Sequence, residues 1–80
     1  MKFSDAFREI LKSRGYTQQS LAEKVGVKQS SIGSMLAKGN PSVNAMVRYL
    51  SDAGYDVALV PKGANLPGGS HVLESTAEDR

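Results

Sequence analysis

The sequence predicts an all-α domain, and three observations support that fold class. Apolar residues recur every three or four positions in four successive stretches. A glycine follows each of these stretches closely, as expected where helices end. The 80-residue chain contains no cysteine, so neither a disulfide framework nor a thiolate metal cage can substitute for an apolar core. We therefore expect one four-helix domain over residues 1–54, close to the lower size limit for independent folding.

The first two predicted helices lie before Gly26. Helix one spans about residues 4–14, with Ser4 as its N-cap and Gly15 as its stop. Its apolar face consists of Phe3, Ala6, Phe7, Ile10 and Leu11. Thr17 is placed to cap helix two, which ends at Gly26. The inward positions of helix two are Leu21, Ala22 and Val25, and the outward ones are Gln18, Gln19, Glu23 and Lys24.

The third and fourth predicted helices are separated by "KGNPS", in which proline breaks the helical pattern. Helix three runs from about Gln29 to Ala37 and buries Ile32, Met35 and Leu36. Helix four runs from about Ser42 to Ala53 and is closed by Gly54. Its expected inward residues are Val43, Met46, Val47, Leu50 and Ala53.

After Gly54 the apolar period changes from helical to alternating, which predicts a short C-terminal β-strand over residues 55–61. The strand has no partner elsewhere in its own chain, and unpaired backbone groups are costly to bury. The simplest partner is a second copy across a two-fold axis, which makes Tyr55, Val57 and Leu59 the expected dimerisation residues. The alternative is an extended arm packed on the monomer. Residues 62–80 are rich in Gly, Pro and Ser and are expected to form a flexible tail.

Charge and isolated reactive residues restrict the function only weakly. Residues 1–62 carry a net charge of +4 and residues 63–80 a net charge of −2, which is compatible with a polyanionic partner but does not require one. His71 is the single histidine and has no ligand set, Ser30 and Ser31 have no neighbouring base, and "LPGGS" lacks the lysine of a phosphate-binding loop. We expect no enzyme activity, no metal and no cofactor. No signal peptide or membrane span is visible, so a soluble cytoplasmic protein is expected.

The spacing between residues 22 and 32 is the most specific pattern in the chain. Ala22 is small enough for a second helix to cross closely, Gly26 permits a tight corner, and Ile32 fills the angle between the two helices. This is the frame of a helix-turn-helix motif. The stretch from residue 7 to residue 54 resembles the lambda-repressor-like, or XRE, family of bacterial and phage regulators.

The resemblance implies a role for individual residues. The second helix of the motif enters the major groove and the first crosses the backbone. The implied base-contacting residues are Lys28, Gln29, Ser30 and Ser34, and the implied phosphate-contacting residues are Thr17, Gln18, Lys38, Asn40 and Asn44. Gln29 has an amide suited to adenine, and Gln18 would contact phosphate and brace Gln29. Without the motif around them, these side chains would be interpreted as ordinary solvated helix surface.

Two residues depart from the family pattern. Lys28 stands where many relatives carry a Ser or Thr cap, and its charge opposes the helix dipole unless a phosphate or guanine lies nearby. Gly33 lies in the middle of the third helix, at a cost of about 1 kcal/mol relative to Ala. It either lets the helix approach DNA closely or is a tolerated flaw.

The functional expectation is a transcriptional regulator of the nucleoid. We expect a homodimeric repressor that binds a pseudo-palindromic operator in double-stranded DNA. Some antitoxins of the helix-turn-helix type carry a similar short strand after the fourth helix. The alternative is therefore an antitoxin that sequesters a toxin protein through residues 62–80 and regulates its own operon. Activation by recruitment of polymerase cannot be separated from repression by sequence.

Overall fold

The computed structural model describes residues 1–75, and these contain four helices and no strand. The helices are α1 (Phe3–Arg14), α2 (Gln18–Val25), α3 (Gln29–Lys38) and α4 (Val43–Asp52). The all-α, four-helix prediction is confirmed. Residues 76–80 lie outside the described range, and with them the last part of the predicted tail.

The helix starts show which capping predictions hold. The Thr17 hydroxyl accepts a hydrogen bond from the Ser20 N–H at 3.0 Å, and the Ser20 hydroxyl accepts one from the Thr17 N–H at 2.9 Å. This reciprocal capping box fixes the start of α2. Helix α1 and its end at Gly15 are as predicted, but the predicted N-cap was wrong, because the helix begins at Phe3 and Ser4 lies inside its first turn. The reason is packing: Phe3 is buried against Phe7, with ring centroids 5.5 Å apart, and this contact draws the helix start upstream.

The core is small and entirely apolar among residues 1–75. Its most deeply buried large side chains are Phe7 of α1, Leu21 of α2 and Ile32 of α3. Helix α2 is the central element, since it packs against both α3 and α4. Leu50 of α4 and Ala53, the residue that follows this helix, complete the core. This core holds α3 at the edge of the molecule, with one face buried and the other free.

The inward face of α4 is narrower than the sequence predicts. Leu50 and Ala53 are buried and Met46 is partly buried, but Val43 is 66% exposed and Val47 is 45% exposed. The prediction that Val43 and Val47 point into the core was therefore wrong. These two valines lie beside the covered stripe of α4, on the side that faces a groove lined by α1 and the chain after Gly54.

Residues 55–61 do not form a strand in this chain, which corrects the sequence prediction for the single chain. No backbone hydrogen bond from residues 56–60 is made within the described part of the protein, so the ladder that defines a strand is missing there. The chain instead turns and returns to α1. The Tyr55 hydroxyl donates to the Gly69 carbonyl at 3.3 Å, and the Glu74 N–H donates to the Met1 carbonyl at 3.0 Å. Residues 55–75 are called the C-terminal segment below.

Candidate nucleic-acid interface

The corner between α2 and α3 is built around Gly26. This residue has φ +89°, in the left-handed region, and its N–H donates to the Ala22 carbonyl at 2.9 Å. The Val27 N–H donates to the same carbonyl at 3.0 Å, so the chain turns immediately after α2. A Cβ on residue 26 would meet no neighbouring atom, so glycine is favoured here by its backbone angle and not by lack of space.

Helix α3 presents one apolar and one polar face. Ile32 and Leu36 are buried, and Met35 packs partly against the same core. The opposite side carries Gln29, Ser30 and Ser34, all exposed. No side chain of the described protein covers this polar face with a hydrogen bond, so its donors and acceptors are free to bind another molecule.

The start of α3 is open, in contrast to the start of α2. Lys28 occupies the N-cap position of α3 and makes no side-chain cap hydrogen bond. Within residues 1–75 the N–H groups of Gln29 and Ser30 have no acceptor, while the Ser31 N–H donates to the Lys28 carbonyl at 3.0 Å. Two exposed N–H groups, the positive end of the helix dipole and the Lys28 ammonium therefore coincide at one helix tip. Such a tip favours an anion, for example a phosphate.

The motif formed by α2, the corner at Gly26 and α3 matches a known protein family. A family model described as helix-turn-helix matches residues 7–59, which is more than half of the chain and includes all of α2, α3 and α4. The chain belongs to this helix-turn-helix family, in its lambda-repressor-like (XRE) form. The family is a DNA-binding one, so this is a DNA-binding domain. The second helix of a helix-turn-helix motif is called its recognition helix, and α3 occupies that position here. No curated protein and no solved structure matches the chain significantly.

Gln18 lies against the recognition helix. Its side chain is partly buried, and a Cβ on Gly33 would lie 3.8 Å from the Gln18 Oε1. The Gln18 amide therefore lies close to Gly33, one turn beyond Gln29, and an alanine at residue 33 would make only an ordinary contact with it. Among residues 1–75 no hydrogen bond joins Gln18 to Gln29, so the expected brace is not formed in the free protein.

The remaining residues implied to contact phosphate are exposed and lie at helix ends. Thr17 caps α2, Lys38 is the last residue of α3, and Asn44 is the second residue of α4. Asn40 lies in the connection between α3 and α4. Helix α4 is capped by Ser42, whose hydroxyl accepts from the Ala45 N–H at 3.1 Å. The helix-turn-helix domain thus exposes every residue of the predicted DNA-contacting set except Gln18, which is partly buried.

Lys24, the single cation of α2, contacts a side chain of its own chain. Its ammonium donates to the Tyr16 hydroxyl at 2.7 Å, and this hydrogen bond raises the pKa of Lys24. The contact ties Lys24 to a small polar pocket that also contains Arg14 and Asp52. No residue of α3 lines this pocket, so Lys24 is engaged away from the recognition helix.

The predicted dimerisation residues lie on another part of the surface. Tyr55, Val57 and Leu59 line the groove formed with α1 and α4, to which α2 and α3 contribute nothing. Tyr55 is partly buried within its own chain, with the Arg14 guanidinium 5.1 Å from its ring centroid. Val57 is exposed and Leu59 is fully exposed. The polar surface therefore lies on the helix-turn-helix corner, whereas the apolar surface lies on α1, α4 and the C-terminal segment.

Sequence reasoning missed two features of this interface. Ser20, at the third position of α2, completes the capping box with Thr17, and the Thr-x-x-Ser spacing was the available signal. Ala37 is exposed on α3, three residues after Ser34. The helical period that relates Ser30 to Ser34 reaches Ala37, so Ala37 is a further exposed residue on their side of α3.

No helix among residues 1–75 combines the length and the apolar character needed to cross a bilayer.

Proposed function

We propose that this helix-turn-helix protein is a sequence-specific repressor that acts by occupying its operator. The observation that carries the proposal is the recognition helix itself: its outer face is polar and uncovered, and its start is uncapped and positively charged. Such a helix offers hydrogen-bonding groups to base edges and a cationic tip to the backbone. The mechanism requires no chemical step, only occlusion of a promoter in the cytoplasm, at the nucleoid.

Specificity and affinity are assigned to different side chains. Gln29, Ser30 and Ser34 read base edges, with Lys28 at the groove's edge. The Gln29 amide can donate to and accept from adenine in a bidentate contact, and the serine hydroxyls adapt to either kind of base pair. Contacts to phosphate by Thr17, Gln18, Lys38, Asn40 and Asn44 position the domain, and they act on every sequence alike.

Gln18 links these two sets. Its amide already lies against α3 beside Gly33. On DNA, this amide contacts a phosphate and braces Gln29 at the start of α3. The brace between the two glutamines is then completed on DNA and not before.

The protein acts as a homodimer in this proposal. One recognition helix reads only a few base pairs, whereas two helices about 34 Å apart read two half-sites one helical turn apart. The exposed Val57 and Leu59, together with the unpaired backbone of residues 56–60, support pairing of two copies through residues 55–61. The operator is then expected to be pseudo-palindromic, with the domain over residues 1–54 reading each half.

The test is selection of binding sites from random double-stranded DNA by the wild-type chain and by Gln29→Ala. The wild type should select one site with two inverted halves. Gln29→Ala should lose about 1–3 kcal/mol at a single position in each half and relax the choice of base there. Gln19→Ala is the matched control, because Gln19 is an exposed glutamine of α2 outside the proposed contact set.

Two results would count against the proposal. Weak binding without sequence preference by the wild type would remove sequence-specific recognition. An unchanged site for Gln29→Ala would remove the assignment of Gln29 while leaving the domain a DNA reader.

A further inference from the structure

A groove opens between α1, α4 and the C-terminal segment, and no residue of α2 or α3 lines it. Its volume is about 920 Å³, and its walls include Phe7 of α1, Val47 of α4 and Leu73 of the returning chain. Nine large hydrophobic residues are exposed among residues 1–75, and all of them except Met1 line this groove. Exposed apolar residues are therefore concentrated at one place.

The continuity of this apolar surface indicates what covers it. Four of the eight residues, Val43, Leu59, Val60 and Val72, are more than half exposed, and all eight lie along one groove. Contiguous exposed apolar residues mark contact sites, whereas apolar residues scattered singly over a surface need no explanation. The surface is therefore suited to a protein partner.

The charge of the groove restricts the chemistry of that partner. Arg14 and Asp56 are the only residues with a full charge among those that line it. The Arg14 guanidinium is already placed over the Tyr55 ring, 5.1 Å from its centroid. The partner must therefore present an apolar and nearly uncharged segment.

The chain itself carries such a segment. Residues 57–60 read Val-Ala-Leu-Val, and Leu59 is 100% exposed at the rim of the groove. The backbone of residues 56–60 is unpaired, so it can hydrogen-bond to an identical segment. Across a two-fold axis, the projecting apolar side chain of each copy can enter the apolar groove of the other, so the same contact forms twice.

We propose that the groove binds a second copy of this chain, with Leu59 of each copy inserted beside Val47 of the other. This inference deepens the proposed function and rests on its homodimer, for which it names the contact. Helix α4 is then the central element of the interface, in addition to residues 55–61. The same helix carries Asn44 near its start, so the contact also sets the separation of the two DNA-reading surfaces.

The experiment uses two complementary charge variants of the full chain, Val47→Asp and Leu59→Lys. Each alone places a charge in both halves of the symmetric contact. Each should weaken dimerisation at least roughly 30-fold, as measured by sedimentation equilibrium, because charges are poorly tolerated in desolvated contacts. An equimolar mixture should restore the dimer, since the mixed species has one native Leu–Val contact and one Lys–Asp pair.

Ser51→Asp is the matched control, because Ser51 is exposed on α4 but does not line the groove, and it should leave the mass unchanged. Far-UV circular dichroism checks that the variants are folded. Val43→Asp provides a second test on α4 if Val47→Asp is unfolded, since Val43 also lines the groove and is more exposed.

The possible failures are distinguishable. A dimer that tolerates both Val47→Asp and Val43→Asp but not Leu59→Lys would exclude the contact of Leu59 with α4 of the other copy. Pairing of residues 55–61 alone would then account for the dimer. A wild-type chain that is monomeric at high micromolar concentration and selects a single half-site would overturn the groove contact and keep the DNA-reading proposal. A monomer that co-purifies with a different polypeptide would assign the groove to that partner, as an antitoxin would require.

Discussion

The recognition surface on α3 and the groove between α1, α4 and the C-terminal segment are both uncovered, but for different physical reasons. The polar face of α3 is hydrated in the free protein, so its exposure costs little and binding must displace water. The groove exposes apolar side chains, and this exposure is unfavourable until something covers them. The difference indicates the kind of partner that each surface binds. The polar face of α3 suits a polyanion, whose binding weakens as salt is added, and the groove suits an apolar protein surface, whose binding is largely insensitive to salt.

The largest effect is expected for the side chain that holds the recognition surface in place. Ile32 is fully buried at the angle between α2 and α3. Ile32→Ala should lower the free energy of unfolding by about 2–5 kcal/mol, because it leaves a cavity in a small core. Urea denaturation measures this change, and Ser31→Ala, at an exposed neighbour on the same helix, is the control.

Ile32→Val refines the same comparison. It should cost only about 0.5–1.5 kcal/mol and leave both DNA binding and dimerisation in place. Ile32 does not line the groove. A valine variant that lost dimerisation but kept its DNA affinity would contradict the separation of the two surfaces.

The next effect concerns the two helix starts of the helix-turn-helix motif. Helix α2 is capped by Thr17 and Ser20, whereas α3 begins at Lys28 without a side-chain cap. Lys28→Ser should therefore raise the free energy of unfolding by about 1 kcal/mol, since it adds a cap and removes a cation from the positive end of the dipole. It should also weaken DNA binding and lower the salt-dependence slope by about one unit, because one cation is lost from the DNA-facing tip of α3.

Lys12→Ser controls for the loss of a lysine, because Lys12 is exposed in the last turn of α1 and lies outside the proposed DNA-contacting set. It should not stabilise the protein or change the salt dependence of DNA binding. If Lys28→Ser stabilised the fold and bound DNA as tightly as the wild type, the open start of α3 would have no role in recognition.

The accuracy of sequence-based prediction differed between the two surfaces. The helix-turn-helix corner was predictable because a few local constraints define it: a small residue, a glycine with positive φ and a β-branched residue in fixed spacing. The groove was not, because helical period shows which residues share a stripe but not how much of that stripe another element covers. Val43 and Val47 follow the apolar period of α4, yet only Leu50 and Ala53 of that stripe are buried in the core. The strand over residues 55–61 failed in the single chain for a related reason, since a strand needs a neighbour that local sequence cannot supply.

The smallest expected change in the free energy of unfolding concerns two glycines, one inside the recognition helix and one at its end. Gly33 lies inside α3, and a Cβ there would make an ordinary contact of 3.8 Å with the Gln18 Oε1. Gly33→Ala should therefore raise the free energy of unfolding by about 0.5–1 kcal/mol through helix propensity. Gly39, at the end of the same helix, has φ +69°, so Gly39→Ala should lower stability by about 1 kcal/mol or more. Thermal denaturation of the two variants should give shifts of opposite sign.

DNA binding by the more stable Gly33→Ala variant then decides why a glycine occupies the middle of α3. Weaker operator binding by a more stable protein would mean that the missing side chain is needed for close approach of α3 to DNA, or for the seat of Gln18 beside it. Gln18→Ala in the same background separates these causes, because removal of the amide relieves a crowded Gln18 but cannot relieve a clash with DNA. Unchanged binding by Gly33→Ala would instead show that Gly33 is a tolerated flaw, and that the polar face of α3 reads DNA through Gln29, Ser30 and Ser34 at ordinary helix-to-groove distance.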